Sequence, residues 1–112
     1  VRDKYIYKTE EYKNYLKTNT LYIRKNSLKS KLQNTEAVKE LYLYDFKIVS
    51  NEEWSEAIKE KKEKILFIKI IPGGNYSGID IYSAKEGKMI ISSYPWIGVN
   101  YSLDERFFKK MF

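Results

Sequence analysis

Two spacings of hydrophobic positions alternate along the chain, and together they predict nine elements. "TEEYKNYLK" (residues 9–17) reads as a short helix with Thr9 as its cap. "TLYIRKN" (20–26) then sets Leu21 and Ile23 against Tyr22 and Arg24, the period-two pattern of a strand. "NTEAVKELY" predicts a second short helix, opened by Asn34 or Thr35 with Val38 and Leu41 turned inward, and "LYDFKIVS" follows as a strand ending near Ser50.

The next helix carries the strongest local signal. Ser50 and Glu53 have the S-x-x-E spacing of a capping box, in which each residue satisfies the other's free amide. Trp54, Ala57, Ile58 and Ile65 fall on one side of this helix, and Glu52, Glu56, Glu60 and Glu63 solvate the rest, with Glu60 spaced to pair with Lys64. Trp54 on such a stripe is expected to anchor the core rather than to hold a ligand.

"ILFIKII" (65–71) is almost continuously apolar, which predicts a central strand covered on both faces. "GIDIYSA" (78–84) alternates again, "KMIISSY" (88–94) is apolar enough to pair with it, and Gly87 in "KEGK" supplies the turn between them. Ser102 and Glu105 have a second S-x-x-E spacing, opening a helix on which Leu103, Phe107 and Met111 share a side.

The order is helix, strand, helix, strand, helix, three strands, helix. It predicts one α/β sandwich, an α+β domain spanning residues 1–112, with a mixed sheet of about five strands and helices packed on it. The first three strands are joined by helical crossovers and the last three form a meander, ending in a C-terminal helix. The later part of this order is similar to the small α/β domains of bacterial envelope proteins, such as the N-terminal domain of the Tol-system translocation protein. That resemblance rests on element order over about 70 residues and no residue motif, so it implies a fold and transfers no function.

Composition narrows the chemistry. The 112 residues include no cysteine and no histidine, which removes disulfides, Cys and His metal sites and imidazole catalysis together. No apolar run approaches the length of a membrane span, and the opening "VRDKYIYK" is not a signal-peptide pattern. "IIPGGNYSGID" (70–80) places Gly73 and Gly78 at the G-x-x-x-x-G spacing of a phosphate loop. A phosphate loop continues with Lys and Ser or Thr and then a helix, whereas Gly78 is followed by Ile79, Asp80 and a strand. The segment from Pro72 to Ser77 is expected to be a turn. Asp80 on one strand and Asp45 before another are a candidate carboxylate pair whose separation nothing in the sequence fixes, no Ser lies in a G-x-S-x-G elbow, and no enzyme, metal or cofactor is expected.

Two surfaces draw attention. The net charge of +6 sits in residues 1–33, where nine Lys or Arg face three acidic residues, while residues 34–112 are balanced at twelve of each. Lys4, Lys8, Lys13, Lys17, Arg24 and Lys25 interleave there with tyrosines, as phosphate contacts and base-stacking rings do in single-strand binders. Solvated Lys and Tyr side chains covering apolar neighbours have the same composition. The second surface is an aromatic rim at one end of the sheet, formed by Tyr76, Tyr94, Trp96 and Tyr101 from the loops 72–78 and 94–101. It would present a contact surface for a protein, peptide or glycan, unless Tyr94 and Trp96 fold back over the core.

The expected function is a non-catalytic interaction or accessory domain, of the bacterial envelope or secreted, with an extracytoplasmic location favoured over a cytoplasmic one. A nucleic-acid-binding module using the basic first third is the alternative. An immunity or inhibitor protein against an acidic target is a third. An exposed edge strand, "TLYIRKN" or "KMIISSY", would also support pairing between chains.

Overall fold

The computed structural model of the chain describes residues 9–73, 76–92, 96–97 and 103–112. Its elements are α1 (Glu10–Thr18), β1 (Thr20–Arg24), two 3-10 turns (Lys25–Ser27 and Ser30–Leu32), α2 (Thr35–Lys39), β2 (Phe46–Val49), α3 (Asn51–Lys59), β3 (Ile65–Gly73), β4 (Tyr76–Ser83), β5 (Met89–Ser92), β6 (Trp96–Ile97) and α4 (Glu105–Met111). The expected mixed sheet with a terminal meander and a C-terminal helix is present.

The strands lie in the order β2-β1-β3-β4-β5, with β6 also paired to β4. β1 runs parallel to both β2 and β3, and β3, β4 and β5 are antiparallel neighbours. The chain leaves β1 in one direction along the sheet to reach β2 and returns in the other to reach β3. Right-handed crossovers then put the two connections on opposite faces. α2 accordingly joins the larger core, and α3 covers the other face.

The larger core gathers Leu21 and Ile23 of β1, Leu66 and Ile68 of β3, and Ile79 and Ile81 of β4 under Tyr12, Leu16, Val38 and the α4 residues Phe107, Phe108 and Met111. The smaller core is built from the alternate positions, Ile65 and Phe67 with Ala84, beneath Ala57, Trp54 and Ile58 of α3. β3 thus faces helices on both sides, as its unbroken apolar run requires.

Local signals are met in part. Thr9 caps α1 by accepting from the Tyr12 amide at 3.1 Å, and Asn34 caps α2 by accepting from Ala37 at 2.8 Å. Ser50 accepts from the Glu53 amide, but the Glu53 carboxylate does not return to Ser50; it pairs with Lys47 Nζ at 2.6 Å. α4 is capped by Asp104, which accepts from the Phe107 amide, so the helix starts two residues later than the Ser102 box predicts. Ile65 is the first residue of β3 rather than the end of the α3 stripe, and the helix stops before Glu60 and Lys64 can stack as a helical pair. The expected turn from Pro72 to Ser77 is mostly sheet: Pro72 pairs with Ser77 and Gly73 with Tyr76, leaving only residues 74–75 between the strands.

Candidate functional site

Alternation along β1 sends Leu21 and Ile23 into the larger core and leaves Tyr22 and Arg24 on the face that α3 covers. On α3 the i, i+3, i+4 set Trp54, Ala57 and Ile58 points down onto the same face. β3 contributes Phe67 and Lys69 there, and β4 contributes Tyr82 and Asp80 through the cross-strand pairs Phe67 with Tyr82 and Lys69 with Asp80.

These side chains form a continuous row with a cation at each end. The Arg24 guanidinium lies 4.2 Å from the centre of the Trp54 ring, and Trp54 meets Phe67 edge to face at 5.7 Å. Phe67 stacks on Tyr82 with centroids 5.4 Å apart, and Lys69 Nζ sits 5.9 Å from the Tyr82 ring centre. Each cation is attracted by the negative face of a ring. Between α3 and β3 the row opens into a groove of ≈ 290 Å³ lined by Trp54, Ser55, Ile58, Lys59, Phe67 and Lys69. Its floor is apolar and its exposed rim carries the two lysines.

Three buried polar atoms of this face have no hydrogen-bond partner: Arg24 Nε, Trp54 Nε1 and Asp80 Oδ1. Asp80 is 5% exposed and is the only charged residue buried among the described residues. Lys69, directly across from it, is drawn over the Tyr82 ring instead. Asp45 lies before β2, three strand positions from β4, so it is at least roughly 14 Å from Asp80 at the usual strand spacing and no carboxylate pair forms. Among the described residues no group of acidic side chains could hold a metal ion.

Among the described residues, the basic positions singled out from the sequence do not gather into one patch. Lys13 and Lys17 lie on α1, which packs on the larger core, and Lys13 pairs with Glu10 at 3.6 Å. Arg24 is on the opposite face of the sheet, stacked on Trp54, and Lys25 is exposed in the turn that follows. Lys4 and Lys8 lie outside the described residues.

Half of the aromatic rim is placed. β6 pairs with the start of β4, Tyr76 with Ile97 and Ser77 with Trp96, so Tyr76 and Trp96 belong to adjacent strands at one end of the sheet. β2 is parallel to β3 through β1, which puts the start of α3 at Ser50 at that end too. Tyr94 and Tyr101 lie outside the described residues.

A second hollow, on the outer side of α1, is spent on structure. Tyr15 donates to Glu86 at 2.9 Å, a bond that raises its hydroxyl pKa, and Lys88 pairs with Glu11, so the hollow's edges tie α1 to the Gly87 turn.

Trp54 packs on the smaller core as its place on the helix stripe predicts, and the groove escapes the sequence because Arg24 reads there as part of a basic tract. The period-two placement of Tyr22 and Arg24 opposite Leu21 and Ile23 is a signal that Arg24 leaves the larger core, without naming Trp54 as its neighbour. No protein-family model, curated protein or solved structure matches this chain, and the likeness of its element order to small envelope domains rests on the sequence alone.

Proposed function

We propose that the chain is a non-catalytic interaction domain that takes an apolar, carboxylate-bearing segment of a partner protein into the groove between α3 and β3. The observation that carries this reading is the pair of buried, unpartnered donors, Arg24 Nε and Trp54 Nε1, beside an apolar groove. A buried donor without a partner costs about 1–3 kcal/mol, and an acceptor brought by a ligand recovers it. Lys59 and Lys69 at the rim favour acidic ligands over basic ones. An inhibitor acting on an acidic target is one role of this kind.

Nucleic acid fits the same face less well. Arg24 already covers one face of Trp54, and Phe67 and Tyr82 stack on each other, so the rings are engaged before any base arrives. Of the described basic residues that would follow a phosphate backbone, Lys13 and Lys17 lie on α1 over the larger core, whereas Arg24 lies on the other face of the sheet.

The test is a selection of random displayed peptides on the wild-type protein, repeated on a Lys59→Glu/Lys69→Glu variant. Acidic, apolar peptides that bind the variant at least tenfold more weakly are expected. Peptides indifferent to the two charges would overturn the reading, as would tighter binding of a mixed-sequence single-stranded DNA with a steep salt dependence.

A further inference from the structure

Of the two strands singled out from the sequence as edges, β5 does end the sheet on the meander side, whereas β1 is hydrogen-bonded on both sides and the parallel half ends instead at β2. The Leu21 amide donates to the Asp45 carbonyl at 3.0 Å, which fixes the direction of every backbone group on β2. Asp45, Lys47 and Val49 turn their amides and carbonyls toward β1, and by alternation Phe46 and Ile48 turn theirs outward. Among the described residues no strand pairs with that outer side. Immediately before it lie Leu43, at 87% the most exposed large apolar residue among the described residues, and Tyr44 at 37%.

We propose that this edge pairs with the same edge of a second copy, two β2 strands meeting antiparallel about a two-fold axis at Phe46. A two-fold contact must present one patch to itself, which requires the antiparallel arrangement. Outward groups at alternate residues allow the axis to fall on Asp45, Phe46 or Lys47. A shift further toward the N-terminus meets the bend at Tyr44, and one toward the C-terminus meets α3 at Asn51.

Charge decides among the three. An axis at Asp45 sets Asp45 against its own copy, and an axis at Lys47 sets lysine against lysine, both destabilising. The axis at Phe46 sets Asp45 against the second copy's lysine at position 47, twice by symmetry. It also makes Phe46 a reciprocal hydrogen-bonded pair with its copy and lays Tyr44 across from Ile48. Lys47 already holds Glu53 at 2.6 Å, and its ammonium has donors left for a second carboxylate. A lone edge lysine protects against strand pairing. Here Asp45, two residues earlier on the same side of the strand, cancels that protection in one register only.

Sedimentation equilibrium of the whole chain across micromolar to millimolar concentrations tests this, with circular dichroism confirming the fold of each variant. Wild type is expected to dimerise, Asp45→Lys to weaken the dimer by about tenfold or more, and Asp45→Lys/Lys47→Glu to recover it with the charges exchanged. Leu43→Ser, which leaves the strand intact, is expected to weaken it as well. A monomer at every concentration, as an edge covered from within its own chain would give, overturns the proposal. So does a dimer that ignores Asp45→Lys, or a charge exchange that fails to recover association.

Discussion

The hydroxyl of Tyr12 donates a hydrogen bond to the carbonyl of Met111 at 2.5 Å, joining the first described helix to the last across 99 positions of sequence. Tyr42, in the same core and packed edge to face on Phe112 at 4.7 Å, buries a hydroxyl that has no partner. The two tyrosines should therefore answer the same substitution differently. Tyr12→Phe strands the Met111 carbonyl and is expected to cost about 1–2 kcal/mol, whereas Tyr42→Phe removes an uncompensated group and should be neutral or stabilising. Urea denaturation of both variants measures the contrast; equal losses would contradict it.

Burial raises the pKa of both hydroxyls well above the ordinary tyrosine value. The folded chain therefore holds these protons more tightly than the unfolded one. The stability linked to them is fully present below pH 10 and is lost as the pH climbs above it. Melting temperature is expected to fall from about pH 10 upward, and the Tyr12→Phe/Tyr42→Phe variant should show a shallower fall. An unchanged slope would assign alkaline unfolding to other groups.

Asp80 carries its charge on the inner part of β4 with Oδ1 unsatisfied. Asparagine has the same shape without the charge, so Asp80→Asn is expected to raise the urea midpoint by an amount equivalent to about 1 kcal/mol, with an unchanged denaturant slope. A loss of stability would mean that the carboxylate is compensated through its other oxygen.

Two left-handed positions offer an opposing pair. α3 ends in a Schellman motif, with the Lys62 amide on the Ala57 carbonyl at 3.1 Å and the Lys61 amide on Ile58 at 3.2 Å. The left-handed residue there is Lys61, at φ 50°, where glycine carries no Cβ penalty. Lys61→Gly is expected to gain about 0.5–1 kcal/mol, and Gly87→Ala, at φ 65°, to lose about 1 kcal/mol. A Cβ at Gly87 would meet no atom within 4 Å, so that loss is one of backbone conformation. Thermal melts of the two variants should move in opposite directions.

Much of the fold was written in spacing. The run from Ile65 to Ile71 declared a strand covered on both faces, Leu21 and Ile23 declared which side of β1 is buried, and Thr9, Asn34 and Ser50 marked helix starts, because each of these depends on neighbours a few residues away. The same short range misled at Ser102, where the spacing of a capping box is present but Asp104, two residues nearer the helix, takes the role. It also misled from Pro72 to Ser77, where turn-forming residues are drawn into the sheet by pairing between β3 and β4.

What sequence could not decide is which residues meet across strands. Arg24 and Trp54 are thirty positions apart and come together because β1 lies under the crossover helix between β2 and β3. Strand order follows from the handedness of two crossovers and the burial of two faces at once, a property of the whole chain. That order places Arg24 beneath α3, separates it from Lys13 and Lys17, and leaves β2 at the edge.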